Sequence, residues 1–236
     1  MIGIIGAMNV EVDALREAMT DLTNEKVGNV VFSRGKIFGK EVVTAVCGEG
    51  KVSAAVCTEA MILKYSPDVI INTGVGGALN NRLRVGDIVI AEKLVQHDFD
   101  ISPLGYDKGY IPELKGIFME SDKRVCDIIE SSAKEAGFPY MRGKVATGDK
   151  FISSKADKAM IVETFGADVC EMEGGSIAQV CTSWNIPFCV LYADDGTQNH
   201  FFVVVSKPGQ RVCAFVIICE ISRNIFIVDI QHFFHK

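Results

Sequence analysis

Short apolar segments that alternate with helical patterns constrain the fold of this chain most strongly. The strand-like segments are apolar on both faces, as a sheet covered by helices on both sides requires. Signals such as Ser66-Pro67 end the helical patterns. The alternation predicts an α/β fold, a single three-layer domain with a mixed, mostly parallel central sheet flanked by helices. The predicted strands are 2–5, 42–47, 69–72, 87–92, 144–147, 169–171 and 187–193, and the predicted helices are 10–19, 51–65, 123–136, 155–165 and 174–185.

Composition narrows the class of protein. The 236 residues suit one α/β domain, and no linker, repeat or low-complexity stretch divides them. Hydrophobic residues make up 48% and charged residues 23%, as in ordinary soluble globular proteins. The formal charge of −6 argues against nucleic-acid binding, which needs a basic face. We therefore expect a small-molecule ligand and no nucleic-acid partner.

Cysteine usage and the N-terminus indicate a cytoplasmic protein. Most of the eight cysteines lie inside apolar runs, where a reduced thiol behaves as a small hydrophobic side chain. Their spacing does not form the paired C-x-x-C pattern of a zinc site, so we expect neither a metal nor a cofactor. The start Met1–Gly6 reads as a first strand and lacks the basic residues and cleavage site of a signal peptide. No apolar run approaches the ~20 residues that span a membrane.

Two turns that follow predicted strands contain candidate site residues. Glu11 lies where the first strand passes into a helix, and there the helix dipole can keep a carboxylate ionised to accept a proton or orient water. A simple surface charge is the alternative. The glycines of the 74–77 segment, including Gly76, can let the backbone approach a flat ligand and donate N–H groups to it. A tight turn without a ligand explains them equally well.

Two further strand ends are acidic. Glu171, Met172 and Glu173 begin a helix directly after an apolar strand, and such carboxylates are costly to bury unless they bind something, such as ribose hydroxyls. Asp194 and Asp195 close the last predicted strand. Adjacent carboxyls raise one another's pKa, so one of them can hold a proton for use as a general acid. An Asp-Asp-Gly turn is the alternative for this pair.

Six segments, taken together in chain order, resemble the methylthioadenosine/S-adenosylhomocysteine nucleosidases of the nucleoside phosphorylase superfamily. The resemblance covers about 190 residues. Each motif alone is weakly specific for the family, but the ordered set of motifs is specific. It implies hydrolysis of an N-glycosidic bond through a cation-like ribosyl transition state, with adenine leaving after protonation. The matching segments are 2–8, 48–52, 68–77, 85–89, 147–152 and 171–173.

The resemblance also implies roles for individual residues. Glu11 is similar to the residue that activates the attacking water. Glu173 matches the carboxylate that holds the ribose hydroxyls, with Met172 against the sugar and Glu171 beside it. Phe151 is similar to the aromatic residue that stacks on adenine, and Ile152 would offer backbone hydrogen bonds to the edge of the base.

The acid and the C-terminus depart from the family pattern. Family members have a Ser-Asp pair where this chain has Ala193-Asp194-Asp195; we assign the acid to Asp195, with Asp194 as the alternative. The segment 197–236 is apolar and β-type where the family has an amphipathic helix, and an altered reading frame would explain it. A loop at 96–112 corresponds to one that reaches a neighbouring subunit, which implies a homodimer.

Other functions remain open on the sequence. A phosphate-dependent nucleoside phosphorylase would share the fold but would need arginines for phosphate, and the 74–77 loop has none. A homologue that binds adenosine without turning it over would follow if the altered C-terminus abolished catalysis. A Rossmann oxidoreductase is disfavoured because the G-x-G-x-x-G fingerprint is missing.

Overall fold

The computed structural model describes residues 1–84, 86–194, 216–219 and 224–227. Helices and strands alternate along most of this part of the chain. The strands are β1 (Ile2–Gly6), β2 (Thr20–Val27), β3 (Val30–Ile37), β4 (Lys40–Val46), β5 (Val69–Ala78), β6 (Ile88–Gln96), β7 (Met119–Glu120), β8 (Tyr140–Thr147), β9 (Val169–Glu171), β10 (Phe188–Asp194), β11 (Val216–Cys219) and β12 (Asn224–Ile227). The helices are α1 (Asp13–Ala18), α2 (Lys51–Tyr65), α3 (Lys123–Glu135), α4 (Lys155–Phe165) and α5 (Gly174–Trp184).

The central sheet is mixed, as predicted. Its strand order is β10-β6-β8-β9-β5-β1-β4-β3-β2, and β7 pairs with β6. Strand β1 lies parallel to both β4 and β5, and parallel pairs also join β5 to β10, β6 to β8 and β8 to β9. The remaining pairs are antiparallel. Because β10 pairs with both β5 and β6, the strands β5, β9, β8, β6 and β10 close into a ring.

Helices cover both faces of the sheet. Residues of α2 and α5 pack against one face with Phe32 and Val190 in one hydrophobic cluster. Residues of α1 and α3 pack against the opposite face in a second cluster. Burial of these apolar surfaces is the main favourable term in folding. The three-layer arrangement is therefore the one predicted from the alternating pattern.

The hairpin of β2 and β3 is not among the predicted elements. Every residue of β2 is exposed except the half-buried Val27, so the segment lacks the apolar alternation that marks a strand. Strand β3 alternates more clearly and pairs antiparallel with β4. The polar strand β2 forms because β3 offers its free edge, with Gly28 at a positive φ of 61° in the turn.

The predicted strand 69–72 is too short, because β5 continues through Ala78, and the tight turn that was the alternative for the glycines is wrong. The register pairs Gly76 with Asp194 on β10 and Gly77 with Cys170 on β9. A Cβ atom at Gly76 would lie 2.4 Å from Cγ1 of Val169. These glycines are needed for close approach of neighbouring strands and side chains, so here they do not mark the end of a strand.

Most helix boundaries follow the prediction, but the first helix does not. A 3-10 turn at Asn9–Glu11 precedes α1, which begins only at Asp13. Glu11 therefore ends a separate turn and does not lie in the first turn of the α-helix. Among the other helices, α2 and α4 have the predicted bounds, and Ser154 caps α4 by accepting a hydrogen bond from the Asp157 amide.

The C-terminal segment is described only in part. Strands β11 and β12 pair antiparallel, in agreement with β-type segments predicted there. The rest of the segment 197–236 lies outside the described residues, and the division into one domain over 1–236 with an atypical part from 197 stays a prediction. Within the described ranges, no helix is long and apolar enough to cross a membrane.

Candidate active site

A cavity of about 240 Å³ opens where β1 and β9 end, beside the second half of β5. Ligands of α/β folds bind at such carboxyl ends of strands. Seven of the predicted site residues line this one cavity, although they lie far apart in the sequence. Its lining residues are Ala7, Met8, Glu11, Glu49, Val75, Gly76, Gly77, Lys150, Phe151, Ile152, Cys170, Glu171, Met172 and Glu173.

Glu11 is buried and is held by backbone amides from the segment after β1 and from β5. Its Oε2 accepts hydrogen bonds from the amides of Ala7 at 2.6 Å and Met8 at 2.9 Å, and its Oε1 accepts one from Val75 at 3.3 Å. Burial raises the pKa of Glu11, and these three N–H groups partly oppose the rise. A carboxylate with a raised pKa is a better proton acceptor, so this group can serve as a general base.

Gly74 makes room for the Glu11 side chain. A Cβ atom at Gly74 would lie 2.8 Å from Glu11 Oε1. Any larger residue there would push the carboxylate off the amides that fix it. The glycine-rich part of β5 therefore shapes the site by packing against Glu11, a role that the sequence pattern did not reveal.

Glu171 ends β9 with its carboxyl group occupied by the protein. Its Oε2 accepts hydrogen bonds from the amides of Glu173 and Gly174, both at 2.7 Å, and Thr147 donates its hydroxyl to Oε1. Burial raises the pKa of Glu171 despite these donors. Glu171 thus fixes the first residues of α5, and with them the direction in which Glu173 leaves the backbone.

The buried hydroxyl of Tyr192 lies between Glu171 and Asn72. It is 2.6 Å from Asn72 Oδ1 and 2.5 Å from Glu171 Oε2. Asn72 donates its amide to the carbonyl of Ile5 at 3.0 Å, which leaves Oδ1 as an acceptor. A tyrosine has one hydroxyl proton for these two oxygens. Tyr192 therefore donates to one of the two oxygens at a time and links Glu171 to Asn72 in a buried network.

Glu173 faces the cavity from the start of α5. Its Oε1 accepts a hydrogen bond from the Gly50 amide at 2.7 Å, which ties α5 to the start of α2. Burial, followed by the charge of Glu171, raises the pKa of Glu173 to about 8. The side chain is only 8% exposed. Its carboxyl group can accept hydrogen bonds from a ligand, which would favour its ionised form.

Phe151, Ile152, Gly76 and Cys170 also line the cavity. The Phe151 side chain is 77% exposed, so the ring is open to a planar partner, and stacking would remove apolar surface from water. Met172 lies beside Glu173 and adds an apolar contact. The lining therefore combines apolar side chains with carboxyl groups, which suits a small ligand with apolar and polar parts.

The predicted acid, Asp195, lies outside the described residues. The backbone of Asp194 ends β10 and pairs with Gly76, which lines the cavity. Strand β10 thus brings the chain to the cavity wall at the residue before Asp195. The roles of Asp194 and Asp195 stay predictions.

Two charged residues that line the cavity were not among the predicted site residues, Glu49 and Lys150. Glu49 lies between Gly48 and Gly50, whose φ angles are 80° and 91°. Such positive φ angles favour glycine and allow a tight turn, but the contact of that turn with Glu173 is not encoded locally. In the described part of the chain, no cluster of three His, Cys, Asp or Glu side chains could hold a metal ion.

The fold and cavity define a member of the Phosphorylase superfamily, whose family pattern matches residues 1–202. A Haemophilus influenzae 5'-methylthioadenosine/S-adenosylhomocysteine nucleosidase is 42% identical over 193 residues, which are 81% of this chain and 84% of the relative. The chain belongs to this nucleosidase family.

Solved structures agree with this assignment. The Campylobacter jejuni 5'-methylthioadenosine/S-adenosyl homocysteine nucleosidase superposes with a TM-score of 0.79 at 38% identity, covering 84% of this chain and 87% of the other. A futalosine hydrolase mutant of Helicobacter pylori superposes with a TM-score of 0.80 at 35% identity, covering 83% and 89%. Both similarities extend over the part of the chain that forms the cavity.

Proposed function

We propose that this chain hydrolyses the N-glycosidic bond of 5′-methylthioadenosine, S-adenosylhomocysteine or both, releasing adenine and a thioribose. The observation that carries the proposal is that Glu11 and Glu173 line one cavity together with Phe151 and Ile152. Membership of the nucleosidase family supports the same reaction. The substrate is a small nucleoside, and the proposed reaction uses no cofactor or metal.

In the proposed reaction, water attacks the anomeric carbon while the bond to the purine nitrogen breaks. Glu11 takes a proton from the water, and Asp195 gives one to the departing base, with Asp194 as the alternative donor. The electron pair of the broken bond stays on the purine, so protonation makes it a better leaving group. The buried carboxyl groups stabilise the positive charge that develops on the sugar.

Binding is divided between the walls of the cavity. We propose that the base stacks on Phe151 and bonds to the backbone of Ile152, with Gly76 beneath it. Glu173 accepts the ribose hydroxyls while Met172 packs against the sugar. The hydrogen bonds of Glu171 to the start of α5 support a contribution through the placement of Glu173.

Phosphorolysis is the principal rival reaction. A phosphate ion in the cavity would need cationic partners, preferably arginine. No arginine lines the cavity in the described part of the chain, and its lysine, Lys150, is paired with Asp157 at 2.9 Å. This charge distribution supports water as the nucleophile.

The likeness to futalosine hydrolase favours a second candidate, the same bond cleavage in a nucleoside with another 5′ substituent.

The deciding experiment incubates the purified full chain with 5′-methylthioadenosine, S-adenosylhomocysteine and futalosine, with and without phosphate, and measures the free base by chromatography. Phosphate-independent release of adenine supports the proposal. A strict phosphate requirement would identify a phosphorylase, and ligand binding without release would identify a non-catalytic homologue. Glu11→Gln is the matched inactive control.

We further propose a homodimer in the cytoplasm. Helix α2 carries Val52, Val56 and Leu63 on one face, and these side chains are 74%, 55% and 64% exposed. Such an apolar stripe is suited to a subunit interface. The cysteines at positions 47, 57, 126, 181 and 189 are buried free thiols, which supports a reducing compartment. Sedimentation velocity of the wild type and of Leu63→Glu tests the dimer, which the charge should weaken.

A further inference from the structure

Glu49 is a carboxylate at the cavity without a function in the proposed chemistry. It lines the cavity and is exposed to solvent. It makes no hydrogen bond or ion pair with the residues that the structure describes. The nearby ammonium groups are already paired: Lys51 binds Asp98 at 2.6 Å, and Lys150 binds Asp157. Glu49 is therefore free to interact with a ligand.

The turn that carries Glu49 is fixed on three sides. The Gly48 amide donates to the carbonyl of Ala7 at 3.1 Å, and the Gly50 amide donates to Glu173 Oε1 at 2.7 Å. The Lys51 amide donates to Asp149 Oδ1 at 2.7 Å. These bonds join the turn to the end of β1, to the start of α5 and to the loop before Phe151. The position of the Glu49 backbone is thus set by the same segments that form the cavity.

We assign the ligand contact of Glu49 by elimination among the residues that line the cavity. In the proposed function, on which this inference rests, Phe151 and Ile152 contact the base and Glu173 contacts the ribose hydroxyls. This leaves the part of the cavity lined by Met8 and Glu49 for the 5′ substituent. Among the carboxyl groups that line the cavity, those of Glu11, Glu171 and Glu173 accept hydrogen bonds from the protein, whereas the exposed Glu49 carboxylate makes none with the described residues and favours a nearby cation.

We propose that Glu49 is a specificity-determining residue that favours nucleosides whose 5′ substituent carries an ammonium group. Of the two thionucleosides in the family name, S-adenosylhomocysteine has such a group and 5′-methylthioadenosine does not. A partly exposed pair of this kind changes affinity by a factor on the order of five. A 5′ substituent that ends in a carboxylate alone is disfavoured by the same charge.

Two nearly isosteric substrates test the charge preference. 5′-Deoxy-5′-(2-aminoethylthio)adenosine is cationic, and its 2-hydroxyethylthio counterpart is neutral. We expect kcat/KM of the wild type to favour the amine by about five-fold at low salt, with the preference shrinking as salt screens the charges. In Glu49→Gln, which removes the charge and keeps the shape, we expect the ratio to fall to about one. Glu135→Gln removes an exposed charge on α3 and should keep the wild-type ratio.

Binding constants for both analogues separate this inference from the proposed function. An amine preference in Kd that disappears in Glu49→Gln supports the role of Glu49, even if neither analogue releases adenine. The lack of adenine release would overturn only the hydrolase assignment. Equal ratios in the wild type and Glu49→Gln would overturn the role of Glu49 while leaving hydrolysis standing. If neither analogue binds, the role of Glu49 is overturned, and adenine release from 5′-methylthioadenosine decides the hydrolase assignment separately.

Discussion

Replacing Glu173 by glutamine should change the pH dependence of folding stability. In the folded protein, burial and the charge of Glu171 raise the pKa of Glu173 from 4.5 to about 8. Between these values the unfolded chain has lost the proton and the folded chain still holds it. Stability therefore falls as the pH rises through this window, and the whole cost is present above pH 8.

The size of the effect follows from the two pKa values. The rise from 4.5 to about 8 corresponds to roughly 5 kcal/mol of destabilisation at high pH. About 4 kcal/mol of this should develop between roughly pH 5 and pH 9. Glutamine keeps an oxygen for the Gly50 amide and cannot ionise, so Glu173→Gln lacks this pH-dependent cost.

Urea unfolding of the wild type and Glu173→Gln at a series of pH values measures the effect. We expect the variant to gain stability relative to the wild type steadily from pH 5 to pH 9. A constant difference caused by the amide itself cancels in this comparison. Glu135→Gln, an exposed charge on α3, serves as the control. A difference that stays flat within about 1 kcal/mol would show that burial does not raise the pKa of Glu173 and refute the reasoning.

Three further variants test the assigned roles. Glu11→Gln should lower kcat on the order of 10²-fold or more with a smaller change in substrate binding, because the base acts mainly in the transition state; steady-state kinetics and a binding titration measure both. Asp195→Asn should lower kcat similarly in the same assays, and wild-type turnover would move the acid to Asp194 or elsewhere. Tyr192→Phe leaves the Oδ1 atom of Asn72 without its buried donor, and the free energy of unfolding in urea should fall by about 1–3 kcal/mol; an unchanged value would show that the hydroxyl contributes no net stability.

The sequence predicts the helices well because their ends are encoded locally. Helix α2 ends at the left-handed Ser66 before Pro67, and α4 starts at the capping Ser154. Strand β2 is different, because its exposed polar residues form a strand only when β3 is beside them. The ring closure depends on β10 pairing with β5, over 110 residues away in the chain. No local pattern contains such a pairing.

The candidate site was predictable where chemistry stands out in the sequence. Carboxylates after apolar strands identified Glu11 and Glu173, and the structure brings both to one cavity. Glu49 and Tyr192 were missed for a different reason. In the sequence, Glu49 is indistinguishable from a surface charge in a glycine turn, and Tyr192 from an ordinary strand residue. The place of Glu49 at the cavity and the contact of Tyr192 with Glu171 form only in the folded chain.

The raised pKa of Glu173 implies that substrate binding is coupled to proton release. With a pKa of about 8, Glu173 is mostly protonated in the free protein at pH 7. Hydrogen bonds from two ribose hydroxyls favour the ionised carboxylate and lower its pKa. Binding of a non-hydrolysable nucleoside at pH 7 should therefore release up to about one proton.

Calorimetry in buffers with different ionisation enthalpies measures this number directly. Glu173→Gln cannot release the proton and is the matched control. Uptake of a proton, or release that is equal in both proteins, would contradict the assignment of Glu173 to the sugar. Release in the wild type alone would mean that substrate binding creates the negative charge on Glu173. That charge then stabilises the cation-like sugar. The full cost of burying the charge would therefore arise only when substrate is present to offset it.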